Sequence, residues 1–467
     1  MTAKRYSYSS VAVLALAALA SILVSSMLVY VPKALVLPAA TACVVLTGWY
    51  ARSALITVIV GCAMYLGFYL RYRAQVGSFP ISALDLFPIL AFVAAYSIRG
   101  ERPRASLSPS GLIALGLLSA GFVVGCLLGL ANHAALVELV KVGRVEFWLL
   151  LTLAAAFTAG HTHTWQRGVV TGLYVAAAVA AVLQIGSFAY AIAFHHPFWS
   201  SLPFGSTSVR NLEGFLTPES IASTRDNYLP TFIMLPGLAL AVYRLRRSDF
   251  VLMVAILMAT AMCLSRGMWL AAGITVVIAL AARIASGRAL SGRATLGVVV
   301  GTVATVLVVG NIGGAILTDR LAGSFESRDV SLIRRQSETD EAIGRLRANP
   351  LTVAAGLGAG SFVPAINEAA PSPILEDQLL AKWTNFGLLS VAGTIWLLVF
   401  GGVTAFLALS RGLGTDPDVM ALGLSLPAFL LVSPFGGTLL QLNVSFAVWL
   451  LAGTVFAAAH ASTTTSS

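Results

Sequence analysis

Residues 319–350, DRLAGSFESRDVSLIRRQSETDEAIGRLRANP, interrupt with charge a chain that is otherwise apolar. On one side of them the run 295–316 carries no ionisable residue, and on the other the run 379–409 carries Lys382 alone. About 20 apolar residues suffice to cross a hydrocarbon core of about 30 Å, so the interruption reads as a loop between two membrane crossings. The composition agrees. The 467 residues are 58% hydrophobic and 10% charged, with a mean hydropathy of +0.88, whereas a soluble domain carries about 25% charged residues.

Working outward, apolar runs lie near 11–31, 34–50, 53–70, 82–98, 111–131, 135–160, 168–194, 229–243, 249–264, 268–282, 295–316, 379–409, 419–436 and 440–459. A backbone in lipid must satisfy its hydrogen bonds internally, which makes these runs helices. The expected fold is all-α, a polytopic membrane bundle of about 12–14 transmembrane helices. A large extracytoplasmic loop carrying short helices completes it. Three regions follow: 1–316 with eleven spans and an outer loop near 195–228, the loop 317–378, and 379–467 with the last spans and a short disordered tail. The first run follows a positive start as a signal peptide does, but it continues toward Tyr30 and reads as a retained span.

Orientation follows from lysine and arginine in short loops. An N-terminus placed inside puts Lys4, Arg5, Arg52, Arg99, Arg102, Arg104, Arg167, Arg244, Arg246, Arg247, Arg283, Arg288, Arg293 and Arg411 on the cytoplasmic side, with Glu101, Asp249, Asp416 and Asp418. The net charge of +10 is therefore spread over loops rather than gathered on one face, which argues against nucleic acid and for lipid headgroups. Cys43, Cys62, Cys126 and Cys263 show no CxxC spacing, and the histidines no HExxH. Neither a metal nor another cofactor is expected.

The chemistry is sought on the outer side. Arg210 and Arg225 fall in the first outer loop, Arg266 in a short LSRG turn, and Arg328, Arg334 and Arg335 in the charged loop. A guanidinium fork matches two phosphate oxygens at once, so converging arginines suit a pyrophosphate; scattered ion pairs with neighbouring carboxylates are the alternative. Within the loop, residues 331–347 show helical spacing of Leu332, Arg335, Ala342, Ile343 and Leu346. An i,i+4 pair Glu341–Arg345 supports that helix, and Asn349-Pro350 stops it. Within 135–160, Glu138 or Glu146 has Lys141 as a close opposite charge. The turn GLGAGSF at 356–362 lacks the P-loop lysine and reads as a tight approach of backbone to a ligand. Where the chain re-enters the bilayer, Glu376 serves either as proton acceptor or as helix cap, and Asp377 reads better as the cap. Asp377 and Lys382 join the candidate substrate-binding set with Arg210, Arg225, Arg266, Arg328 and Arg334.

Three segments, RNLEGFLTPESIA at 210–222, LSRG at 264–267 and RQSETDEAIGRLRANPLTVAAGLGAGSF at 335–362 ahead of EDQLLAKWTNFGLL, give the chain a resemblance. In order and layout they resemble the O-antigen ligase and O-antigen or exopolysaccharide polymerase superfamily of bacterial membrane proteins. Where that family's ligases usually carry histidine, this chain has Glu376, followed by Asp377 and Gln378, which looks closer to the polymerases. The resemblance implies a metal-independent, inverting glycosyl transfer on the outer leaflet of the bacterial plasma membrane. The donor is a polyprenyl-pyrophosphate-linked oligosaccharide, the acceptor a glycan hydroxyl, with Glu376 and Arg335 catalytic and Arg210 and Arg266 at the pyrophosphate. Ligation to another acceptor, a lipid-linked glycan flippase and an anion transporter stand as alternatives.

Overall fold

The computed structural model describes residues 73–76, 79–82, 86–98, 108–194, 231–262, 266–288, 330–362, 377–413, 416–432 and 442–465, with part of 53–61. The expected runs 11–31, 34–50 and 295–316, most of 53–70, and the loop 195–228 lie outside the described residues. Elsewhere the apolar runs are helices: α1 Leu86–Ile98, α2 Pro109–Ala131, α3 Leu136–Ala159, α4 His163–Phe194, α5 Met234–Arg244, α6 Arg247–Met262 and α7 Arg266–Ala285. The charged loop contributes α8 Val330–Arg347 and α9 Pro350–Ala355, and the C-terminal region α10 Gln378–Ser410, α11 Pro417–Gly423, α12 Leu426–Val432 and α13 Leu442–Thr465. One departure from an all-helical chain is a small antiparallel hairpin, β1 Arg73–Val76 with β2 Phe79–Ser82, paired Val76 to Phe79. Its sequence signal is Gly77-Ser78, a Gly-X pair suited to a two-residue hairpin link.

Helix starts are set by local chemistry. Ser108 accepts a hydrogen bond from the amide of Gly111 at 3.0 Å, with Pro109 in the first turn of α2. Asp416 accepts from Asp418 at 2.9 Å ahead of Pro417 in the same way. Proline fits there because the first helical amides have no partner within the helix.

Two expected spans are broken. The run 419–436 divides into α11 and α12, because Pro427 has no amide to give and its ring crowds the carbonyl four residues back. That ring instead fills the space left by Gly402 on α10, where a Cβ would stand 2.4 Å from the Pro427 ring. The run 379–409 is a single element with a kink at Gly387, whose φ of 73° and ψ of −178° are not helical.

Among the described residues, five helices are long and apolar enough to cross a membrane: α2, α10, and the stretches His163–Gly186, Gly267–Ala285 and Val444–Ala461. Of these Val444–Ala461 is the most enclosed, with 83% of its apolar window buried, against 28% for α2. The stretch in α13 therefore runs through the bundle interior and α2 along its outside. On α2, Leu112, Val123, Leu127 and Leu130 are at least half exposed, a surface matched to lipid chains. The opposite face of α2 is a stripe of Gly121, Gly125 and Gly129, where added Cβ atoms would come within 2.4–2.7 Å of backbone in α10 and at Ala359. Small residues at this spacing allow helix backbones to approach closely. The chain is accordingly a helical membrane protein.

The bundle has two chemically different ends. At one, the Arg244 guanidinium donates to both oxygens of Asp418, Arg283 donates to the carbonyls of Tyr243 and Arg244, and Arg288 lies over the Tyr243 ring at 4.6 Å. At the other, the link 132–135 between α2 and α3 meets residues 356–362.

The turn between α3 and α4 supplies a pH test. Both ring nitrogens of His161 are buried without hydrogen-bond partners among the described residues, and burial lowers its pKa from the ordinary 6.5. A depressed cationic pKa means that the unfolded chain binds the proton more readily, so stability present above about pH 6.5 is lost as pH falls below it. The melting temperature of the protein in detergent should fall between about pH 7.5 and about pH 5.5 by more than that of His161→Phe. Equal falls would show that His161 is not the group responsible.

Candidate functional site

The end of the bundle carrying the charged loop is built as a cap. Amphipathic α8 buries Ala342 and Leu346 against Phe362 and against Leu380 and Ala381 of α10, with Ile343, Leu357 and Trp383 at the edge. Helix α8 ends at Arg347, and Asn349 accepts a hydrogen bond from Leu351 at 2.9 Å to start α9. The Glu341–Arg345 pair forms at 2.6 Å, and the Arg345 guanidinium also lies 5.1 Å from the centre of the Phe362 ring. Glu338 is buried one turn before Ala342. Positions 338, 342 and 346 recur every four residues and form this packed face.

Most amides of segment 356–362 are engaged by the protein itself. Leu357 donates to the carbonyl of Thr384 at 2.7 Å, Ala359 to Gly125 at 2.8 Å, Gly360 to the Asn385 side chain at 3.1 Å and Ser361 to Gly358 at 3.1 Å. In return Asn132 donates to the Leu357 carbonyl at 2.7 Å. Gly356, Gly358 and Gly360 all have positive φ, and each presses on the backbone of a different helix: α10, α2 and α3. The glycines thus serve as a backbone wedge joining three helices. The tight turn expected from the sequence is present, and what it approaches is protein backbone.

The candidate site residues fall into three groups. Arg210, Arg225, Arg328 and Glu376 lie outside the described residues. Arg334 and Arg335 are in the first half of α8, and Arg266 opens α7; at these three positions the backbone is described. Asp377 and Lys382 are described with their side chains, and both are engaged. Asp377 caps α10 by accepting from Leu380 at 3.1 Å. Lys382 is 5% exposed, and its Nζ lies 2.6 and 2.7 Å from the two carboxylate oxygens of Glu146, itself 3% exposed.

The Glu146–Lys382 pair is the polar centre that local reading of the sequence did not find. Glu138 takes Lys141 as its i,i+3 partner, which leaves Glu146, ten residues or about 15 Å into α3, to pair across 236 positions. Glu146 Oε1 also lies 3.5 Å from the Ser390 hydroxyl, and the Lys382 ammonium stands 4.8 Å from the centre of the Trp449 ring on α13. Taking both ions out of water is costly, and charge attraction with close hydrogen bonds offsets that cost. The available signal was that each is an ionisable residue inside an apolar run, a placement that demands a partner. Among the described residues, no three His, Cys, Asp or Glu side chains group closely enough to hold a metal ion.

Fold and site define a class: a multi-helix membrane protein with an arginine-bearing amphipathic helix docked on one end of its bundle. No protein-family model matches the chain, and no characterised protein is similar to it at a significant level.

Proposed function

We propose that the protein is a membrane glycosyltransferase that transfers a glycan from a polyprenyl-pyrophosphate donor to an acceptor hydroxyl on the outer face of the bacterial plasma membrane, polymerising a surface polysaccharide. The observation that carries this reading is the docking of α8, with Arg334 and Arg335, on the first turns of α10, which begin immediately after Glu376 and Asp377. That packing, through Ala342 and Leu346 on Leu380 and Ala381, supports the reading, since Glu376 directly precedes in sequence the Asp377 that caps α10. The motif order from Arg210 to Gly387 supports the same reading.

In the proposed reaction the acceptor oxygen attacks the anomeric carbon from the face opposite the pyrophosphate. The glycosidic C–O bond breaks, its electron pair leaves with the polyprenyl diphosphate, and Glu376 takes the acceptor proton. Fixed guanidinium groups at Arg335, Arg210 and Arg266 would stabilise the charge that grows on the leaving group, most strongly where water is excluded. The donor is already activated, so no nucleotide enters the balance.

Purified protein in lipid, given undecaprenyl-pyrophosphate oligosaccharide without nucleotide or metal, should yield a ladder of longer glycans. One glycan added to a distinct acceptor would make it a ligase, and donor movement across the bilayer without bond formation would make it a flippase. Arg335→Ala should lower transfer by about a hundredfold or more, the scale for loss of one charge-stabilising donor, while insertion and folding persist. Unchanged glycan length in that variant removes the clamp. Glu376→Gln should retain donor binding and stall transfer.

A further inference from the structure

We infer that the buried Glu146–Lys382 pair is a positioning element that fixes the entrance segment 378–386 of α10 on the bundle, and with it the Glu376–Asp377 end that precedes that segment. This rests on the reading of the chain as a glycosyltransferase acting at that end.

Helix α10 is not one rigid rod. At Gly387 the backbone leaves the helical region, and the space a Cβ would need is filled by the backbone of Ala354 and Ala355. The entrance segment is therefore uncoupled from the long part of α10 and must be held from outside. Three of its holds come from the charged loop: Leu357 donating to Thr384, Gly360 donating to Asn385, and Trp383 donating to the carbonyl of Val353 at 2.7 Å. These make the entrance segment and residues 350–362 a single mechanical unit. Glu146 is the polar anchor of that unit to the membrane bundle. Its carboxylate grips Lys382 before the kink and faces Ser390 after it, so one side chain of α3 spans the break. The groups around it are Lys382 and Ser390 from α10, Trp449 from α13 and Cys126 from α2.

A buried ion pair is a weak source of stability, since a well-packed apolar pair often serves as well. What it supplies here is direction. A two-oxygen grip on one ammonium sets the rotation and depth of the entrance segment, whereas methyl groups slide. Lys382 is five residues from Asp377, about 7.5 Å along the helix, so a small rotation at Lys382 is carried to Asp377, which caps the segment.

The test compares wild type with Glu146→Leu/Lys382→Leu and with Lys382→Arg, by glycan transfer and by amide hydrogen exchange. In the apolar double variant the protein should fold and insert. Its turnover should fall about tenfold or more with the donor KM changed less than about twofold, as expected for loss of alignment rather than of binding. Amide exchange should accelerate by about tenfold in 378–386 and 350–362 and stay unchanged in 390–410. Lys382→Arg, which keeps the charge and the two-oxygen grip, should hold about a third or more of the turnover. Wild-type turnover in the double variant, or exchange that is unchanged or faster everywhere alike, overturns the inference. If wild-type protein transfers no glycan, the glycosyltransferase reading falls by itself, and the exchange pattern alone then decides whether the pair positions the segment.

Discussion

Glu146→Leu alone should lower the unfolding free energy by about 3–5 kcal/mol, because it leaves the Lys382 ammonium buried with no carboxylate. Lys382 has nowhere to go. Its side chain is enclosed by α3, α10 and the Trp449 ring, so it cannot reach water without disturbing the entrance segment. The ammonium must lose its proton or the packing must open. Glu146→Leu/Lys382→Leu should recover most of that loss, and the difference between the single and double variants isolates the uncompensated charge. Denaturant-induced unfolding in mixed micelles reads both quantities. A single variant as stable as wild type would mean that Lys382 and Glu146 are not paired in the folded protein.

Gly387→Ala should have a comparable effect by a different route. A φ of 73° with ψ near 180° is open to glycine alone, and holding another residue there costs about 1–3 kcal/mol. The new Cβ would also stand 2.7 Å from the carbonyl carbon and oxygen of Ala355, an overlap that adds about 1–3 kcal/mol. The combined loss is expected at about 2–6 kcal/mol. Gly344→Ala provides the opposite sign. Nothing lies within 4 Å of its Cβ position in α8, so alanine there should stabilise the helix by up to about 1 kcal/mol. Equal melting temperatures for Gly387→Ala and wild type would show that the kink is not held by this glycine.

Much of the helical plan could be read locally. The spacing of Leu332, Arg335, Ala342 and Leu346 forecasts a helix over 331–347, and the structure has Val330–Arg347 with the Glu341–Arg345 pair in place. Asn349-Pro350 predicts a stop, and it is both the stop of α8 and the capped start of α9. Asp377 caps α10, the role its place ahead of the first helical turn favours. These features depend on neighbours within about one helical turn, where sequence distance and spatial distance agree. Of the two carboxylates near Lys141, Glu138 takes it, in line with the i,i+3 alternative, and Glu146 pairs with Lys382, which no local spacing reveals. Local spacing also left GLGAGSF open to a ligand, although the amides of Leu357, Ala359 and Gly360 are taken by Thr384, Gly125 and Asn385.

By itself the sequence determined that this protein is a bundle of apolar helices with a charged loop, because lipid admits few other ways to satisfy a backbone. It also determined where most described helices begin and end, since caps, prolines and charge pairs act over a few residues. Only the tertiary structure decided that three alternating glycines wedge α2, α3 and α10 together, and that a glutamate and a lysine 236 positions apart meet beside a kink. Those contacts depend on which helix faces set against one another, and that is settled by packing of the whole chain rather than by any local run of it.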